Sequence, residues 1–348
     1  MGIHVKYVFG DKEQGKEQKR IKKEKRDRKA FELLRNVSAL RNSNSGCVLV
    51  HLVGLAPEDS FTGAFDEFAD SKLYELIQDG KQFSDVYRKE VLNSNCACHG
   101  FGDFLVLYVG ASSIVTTCKF NTKVTLDDCI IDICAQTLRT FVRERKSHSD
   151  KFHTLPGVTN TDHLQNVQEN RSVQMKSHFL QKKDGKEIAE YIIKNHKLAE
   201  YISAFTKIEC GGSFLYGVHQ MNCFLQEYGY ETKVNRIQPV VLGDRTVFRD
   251  TLEDSIRNTV LVCDYDGDRI QDSNIFQIEF IPCTRVNDEH DDEQAVVVHV
   301  AVRPVSGIVF YDKQGPLAYR YDKRYKVITR IDIKEWIRAL TKGRASLE

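Results

Sequence analysis

Three sets of residues in this sequence have types and spacing suited to chemistry. Cys96, Cys98 and His99 fall together in NSNCACHGFG. Thiolates and an imidazole are zinc ligands, but a structural zinc takes four, and no second cluster follows at finger spacing. Asp264, Asp266 and Asp268 in DYDGD suggest a calcium loop, yet the glycine stands too early for a helix–loop–helix site and the closing position would be Ile275. A turn is the better reading. The third set is positive charge: Lys12–Lys29 carries ten basic and four acidic residues and Arg320–Arg344 nine and three, although the formal net charge of the chain is only +1. Such blocks bind nucleic-acid phosphate through counterion release, and Lys22, Lys23, Arg26, Arg320 and Arg324 are the side chains expected to do so. A solvated helix face is the alternative that charge alone leaves open. The acidic run NDEHDDE, 287–293, reads as a loop between two strands.

The elements that must position these groups centre on residues 186–220. Ile188, Tyr191, Ile192, Ala199, Ile202 and Phe205 recur at three- and four-residue spacing, predicting one helix that ends near Glu209. Gly211 and Gly212 supply a turn, and Ser213–Val218 is a strand. Upstream, the spacing predicts a strand over His4–Phe9, a basic helix running into SAL at 38–40, a strand over Val48–Leu55 and a helix over Phe61–Gly80. Lys81–Leu92 reads as helical or extended. Phe104–Val109 and Ile114–Thr117 read as paired strands, followed by an amphipathic helix over Leu126–Arg143 whose N-terminal end Asp127 and Asp128 favour. Residues 144–165 lack periodicity and are expected to bridge two lobes, 1–143 and 166–348, with His148, His153 and His163 as polar linker residues.

Length and composition bound the class. A 348-residue chain with 41% apolar residues and few prolines can bury a sizeable core as one or two domains. No run of eighteen apolar residues or signal-peptide core is present, so direct membrane insertion is not expected. The ten cysteines lack disulfide-scaffold spacing. They point to reduced thiols and a cytoplasmic or nuclear protein, with the cytoplasm expected here.

The text repeats itself. Ser38, Ala39 and Gly46 align with Ser203, Ala204 and Gly211 at a constant offset of 165, each glycine preceding an apolar strand. FLVLYVGASSIVTT (104–117) likewise matches VVVHVAVRPVSGIVFY (296–311). Two correspondences in the same order imply two related halves.

With KEKRDRKAFELLRNVSALRNSNSGCVLV in the first half, YISAFTKIECGGSFLYGV in the second and the closing VHVAVRPVSGIVFYDKQGPLAYRYDKRYKVITRIDIKEWIRAL, the chain resembles the Schlafen core domain over nearly its whole length. The resemblance implies an α/β (α+β) fold of AlbA type, a two-lobed, U-shaped pseudo-dimer with a positive groove for tRNA-like RNA. The helicase part of long Schlafens is absent from this text. The family's structural zinc uses a His-x-Cys element and a Cys pair. Here the matching places read Val262-Cys263-Asp264 and Ser306-Gly307, so no metal site is expected in this chain.

Active members of the family carry Glu-x-x-x-x-Glu-x-Lys and a later Asp in Gly-Val-Asp-Asp, carboxylates that hold a divalent ion against a phosphodiester. In ENRSVQMK, Glu169 matches the first Glu and Lys176 the Lys, but Gln174 replaces the second Glu. GVHQ puts His219 and Gln220 where Asp would stand. An amide oxygen is a far weaker ligand for a hard cation, so the degenerate site reads as a hydrogen-bonded or phosphate-contacting surface, with Lys176 among the RNA contacts. Some single-core Schlafen-like proteins form a multi-subunit endoribonuclease for piRNA precursors, with carboxylates in one subunit and degenerate cores in others. The resemblance implies such a non-catalytic subunit, with another Schlafen-like protein and RNA as partners, no cofactor of its own, and room for magnesium or manganese in a partner's active site. An active tRNA endoribonuclease and a stand-alone tRNA-binding protein are the alternatives.

Overall fold

A computed structural model describes residues 2–8, 16–53, 61–92, 104–144, 150–178, 184–225, 230–271, 274–283, 295–322 and 324–343. In chain order, β1 (Gly2–Val8) leads to the long helix α1 (Lys16–Arg41), β2 (Gly46–Val53), α2 (Phe61–Glu75), the single turn α3 (Phe83–Val86), β3 (Tyr87–Val91), β4 (Phe104–Val109) and β5 (Thr117–Lys119). Next come the hairpin β6 (Lys123–Leu126) and β7 (Cys129–Asp132), α4 (Ala135–Glu144), a 3-10 helix (Thr161–Asn166), β8 (Val173–Lys176), α5 (Gly185–Asn195), α6 (Leu198–Phe205), β9 (Gly212–Tyr216), β10 (Val218–Leu225) and β11 (Tyr230–Ile237). The chain continues through β12 (Val240–Val241), α7 (Arg245–Thr259), β13 (Leu261–Cys263), β14 (Phe276–Pro282), β15 (Ala295–Val302), β16 (Ile308–Phe310), β17 (Leu317–Asp322), β18 (Val327–Arg330) and α8 (Ile333–Lys342). Helices beside several small, mostly antiparallel sheets make this a mixed α/β protein of the α+β kind.

Contacts divide the chain into two compact units that are not contiguous in sequence. One comprises 1–120, 134–139 and 316–348, the other 121–133 and 140–315. This differs from the contiguous division expected at 143 and 165. In the first unit the sheet β1-β2-β4-β3 packs Val48, Val50, Leu105 and Leu107 against Leu33, Val37 and Leu40 of α1 and Phe65 and Leu73 of α2. In the second, the sheet β12-β15-β9-β8, with β14 also on β15, packs Phe214, Tyr216, Val298 and Val300 against α5, α6 and α7 through Ile192, Ile202, Phe205, Phe248 and Leu252. Burying the α5–α6 stripe offsets the cost of ordering those helices at roughly 25 cal/mol per Å² of apolar surface removed from water.

The repeated text folds alike in both units. Gly46 at the start of β2 pairs with Val109 at the end of β4, and Gly212 at the start of β9 pairs with Val302 at the end of β15. In both cases the residue seven places past the valine offers its carbonyl to the buried serine of the preceding helix. Ser38 Oγ donates to Thr116 O at 2.9 Å, and Ser203 Oγ to Val309 O at 2.6 Å. Each serine also accepts a backbone N–H from a hairpin strand, from Tyr319 in β17 at 3.4 Å and from Lys123 in β6 at 3.2 Å. The hairpins are exchanged: β6–β7, from the first half of the sequence, serves the serine of the second, and β17–β18 serves that of the first. Gly211 is required at its turn, since its φ is +75° and a Cβ would lie 2.1 Å from Val302 O.

Several expectations need correction. The single helix over 186–209 is two, because Lys197 adopts the left-handed conformation (φ 56°, ψ 35°) between α5 and α6, and α6 ends at Phe205. Leu126–Arg143 is not one helix. Its first part is the β6–β7 hairpin, turned at Asp127 with φ 52°, and only Ala135–Glu144 is helical. The left-handed backbone at Asp127 stops a helix from starting at Leu126, and a count of apolar spacing does not register it. Phe104–Val109 does not pair with the segment near 114–117: β4 lies between β2 and β3, and β5 pairs with β17. Lys81–Leu92 is part helix and part strand. DYDGD is a turn, as expected, with Asp264 Oδ1 accepting from the amides of Asp266 and Asp268 at 2.9 and 2.8 Å. The strands flanking the acidic run pair as an antiparallel hairpin. The run itself and Cys96, Cys98, His99 and His148 lie outside the described residues.

Candidate functional site

Strand β8 and the residues just before it bring Glu169, Gln174 and Lys176 together. Glu169 Oε1 accepts from the Met175 amide at 2.7 Å and lies 4.0 Å from Lys176 Nζ. The lysine also approaches Gln174 Oε1 at 3.5 Å and stands 5.1 Å over the Tyr201 ring. Strand alternation puts Gln174 and Lys176 on one face. There Gln174, buried, donates through Nε2 to the carbonyls of Asp128 at 2.6 Å and Asn170 at 3.3 Å. A glutamate at 174 would turn an acceptor toward those two acceptors, so the position is shaped for an amide.

His219 and Gln220 are engaged elsewhere. His219 Nδ1 meets Ser177 Oγ at 2.6 Å. Gln220 Nε2 reaches Asn235 Oδ1 at 3.0 Å and Gln168 Oε1 at 3.4 Å. Asn235 spends its own amide on the carbonyls of Leu164 and Val167, which fixes its Oδ1 as the acceptor. Gln220 Oε1 is buried without a hydrogen-bond partner among the described residues, a deficit of about 1–3 kcal/mol. Beside Lys176, His178 Nδ1 meets Tyr216 OH at 2.8 Å. Burial pushes His196 down, reinforced by the nearby Lys176 and His178. Among the described residues, no group of three or more His, Cys, Asp or Glu side chains is placed to hold a metal ion.

The two segments matched to the family's zinc positions do lie side by side, since a Cβ on Gly307 would be 2.2 Å from Cys263 O. Cys263 is the sole thiol in those matched segments, and burial pushes it up to about 11. The described cysteines are free thiols.

The expected RNA-contacting side chains fall in different places. Lys22, Lys23 and Arg26 have side chains outside the described ones. Lys176 belongs to the second unit and Arg320 and Arg324 to the first. Arg320 is committed to Glu335 at 2.9 Å, while Arg324 is exposed and stacks on Tyr325 at 5.2 Å.

Sequence reading missed a second basic surface. On α7, Arg245, Arg249 and Arg257 lie on one face and stack over β14, Arg245 and Arg249 on Phe280 at 6.0 and 5.1 Å and Arg257 on Phe276 at 5.5 Å. They border an open cleft of about 550 Å³. Guanidinium groups held over aromatic rings are pre-oriented for phosphate or base stacking. The four-residue spacing of Arg245, Arg249, Glu253 and Arg257 was the available signal.

No protein-family model matches this chain, and no curated protein sequence matches it significantly. Among the described residues, no helix is long and apolar enough to cross a membrane.

Proposed function

We propose that this chain is a non-catalytic, RNA-binding subunit of a Schlafen-like endoribonuclease complex that processes small-RNA precursors, acting beside a sibling chain that supplies the metal-binding carboxylates. The observation that carries this reading is Gln174. Its amide is hydrogen-bonded where the active pattern needs a carboxylate, and Glu169 is taken up by the Met175 amide and Lys176. The twofold serine node and the exchanged hairpins support an internally duplicated, two-lobed core. Lys176, Arg324 and the α7 arginines supply phosphate contacts of the point-charge and fork types.

Purification of the tagged chain from its source cells, scoring bound protein and small RNA together, tests this reading. A Schlafen-like partner should be recovered, cleavage by the complex should tolerate Glu169→Ala, and the isolated chain should not cut RNA with magnesium or manganese. Gln174→Glu should lose about 1–3 kcal/mol of stability by urea melts and gain no metal-dependent cutting. Robust cutting by the isolated chain that Glu169→Ala abolishes would overturn the proposal. A monodisperse monomer that binds RNA and no protein would favour the stand-alone tRNA-binding alternative.

A further inference from the structure

Away from Glu169, four polar side chains form a continuous chain across adjacent strands of the second unit. Glu279 on β14 faces its register partner His299 on β15, with Oε2 3.0 Å from His299 Nδ1. His299 Nε2 is 2.8 Å from Ser213 Oγ on β9, and Ser213 Oγ is 2.7 Å from His153 Nδ1. Ser213 and His299 are buried.

Hydrogen-bond direction follows from the donor inventory. An ionised carboxylate only accepts, so His299 Nδ1 donates to Glu279. The Ser213 hydroxyl lies between His299 Nε2 and His153 Nδ1 and can donate to one ring while accepting from the other. His153 is thereby engaged through Nδ1, which leaves Nε2 outside the relay. Burial and the neighbouring His299 keep this imidazole below its ordinary range, which favours the neutral ring.

The relay ends at a cavity wall. His153, half-buried, lines a space of about 710 Å³ together with Lys151, Phe152, Arg171 and Glu209, within the range for small-ligand sites. Among the described residues, His153 Nε2 has no hydrogen-bond partner and Arg171 no ion-pair partner. The Arg171 guanidinium, with Lys151 beside it, suits a phosphate, an imidazole nitrogen suits a sugar hydroxyl, which can donate or accept, and Phe152 suits a flat base.

We propose that this cavity binds a nucleoside monophosphate, free or as the 5′-phosphorylated end of an RNA, with its phosphate on Arg171 beside Lys151 and a sugar hydroxyl hydrogen-bonded to His153 Nε2. The inference stands independently of the endoribonuclease reading. The test is calorimetric titration of the full chain at fixed ionic strength with AMP, adenosine, inorganic phosphate, and 5′-phosphorylated and 5′-hydroxyl oligoribonucleotides, with the His153 Cε1–H resonance followed in parallel. AMP should bind saturably and move that resonance, and adenosine and inorganic phosphate should bind at least about tenfold more weakly. Arg171→Ala, at an exposed position that leaves the relay intact, should weaken AMP about tenfold or more. His153→Gln should weaken AMP more than inorganic phosphate. A tighter 5′-phosphorylated oligonucleotide identifies an RNA end as the ligand, and a tighter AMP identifies the free nucleotide. Equal binding of adenosine and AMP, no saturable AMP binding, or an Arg171→Ala variant of unchanged affinity overturns the proposal.

Discussion

The two units solve one local problem with different side chains. In the first, Asn42 lies one helical turn past Ser38 and is fully used: Nδ2 donates to the carbonyls of Thr116 and Tyr319 at 2.8 and 2.9 Å, and Oδ1 accepts from the Thr116 amide at 2.6 Å. In the second, the same place past Ser203 holds Lys207, whose amine reaches Ser203 O at 2.6 Å and Val309 O at 3.5 Å. Among the described residues no carboxylate pairs with it, and burial pushes the amine down to about 7. The first unit places its charge differently, as an Arg41–Asp79 pair at 3.1 Å with both side chains buried. Burial alone would raise Asp79, but Arg41, the Ser113 amide and the Ser112 hydroxyl, with Lys81, outweigh it and hold the carboxyl below its usual value. The same backbone arrangement thus accommodates a neutral amide or a strained amine, because the serine and the main-chain carbonyl carry the geometry and the neighbouring side chain only completes it.

The largest expected effect breaks the comparison on the first side. Asp79→Ala leaves the Arg41 guanidinium buried without its partner, and urea melts should show a loss of about 3–5 kcal/mol. Wild-type protein should lose this pair's contribution only as pH falls through the depressed carboxyl value, below the ordinary 3.8. Next, Ser38→Ala and Ser203→Ala should each cost about 1–3 kcal/mol. Ser203 should be the costlier, because its contacts to Val309 O and the Lys123 amide are shorter than those of Ser38. Equal and negligible losses would show that the shared node does not hold either unit together.

The smallest effect is the most diagnostic. Lys207→Asn installs the first unit's residue in the second. Between the folded value of about 7 and the ordinary 10.5, the unfolded wild-type chain binds a proton that the folded chain does not, so wild-type stability should rise with pH across that window. Below it both states are protonated and the folded state carries the full penalty. Since Lys207 as a residue keeps some exposure, the rise relative to Lys207→Asn should be about 1–2 kcal/mol from pH 7 to 9. Parallel stability curves for the two proteins would show that the amine is solvated.

The candidate site was legible in part. The spacing of Glu169, Gln174 and Lys176 survives as proximity on and beside β8. What each side chain is bonded to was not legible, because Gln174 is held by Asp128 from a hairpin placed elsewhere in the sequence. His153 illustrates the same limit more sharply. In a segment without periodicity it reads as a linker residue, and only the neighbouring strands make it the end of a buried relay.

By itself the sequence determined the repeated serine–glycine–strand unit, the apolar faces of the α5–α6 stretch and of the strands, and the basic character of both ends, since these follow from residue type and local period. Tertiary structure alone decided where Lys197 breaks a helix, that residues 123–132 form a hairpin, and that each half's hairpin completes the other half's serine. Those outcomes depend on which distant backbone N–H and carbonyl groups find partners once the sheets close, and local propensity carries no information about a partner 80 or 281 residues away, as Ser203 is from Lys123 and Ser38 from Tyr319.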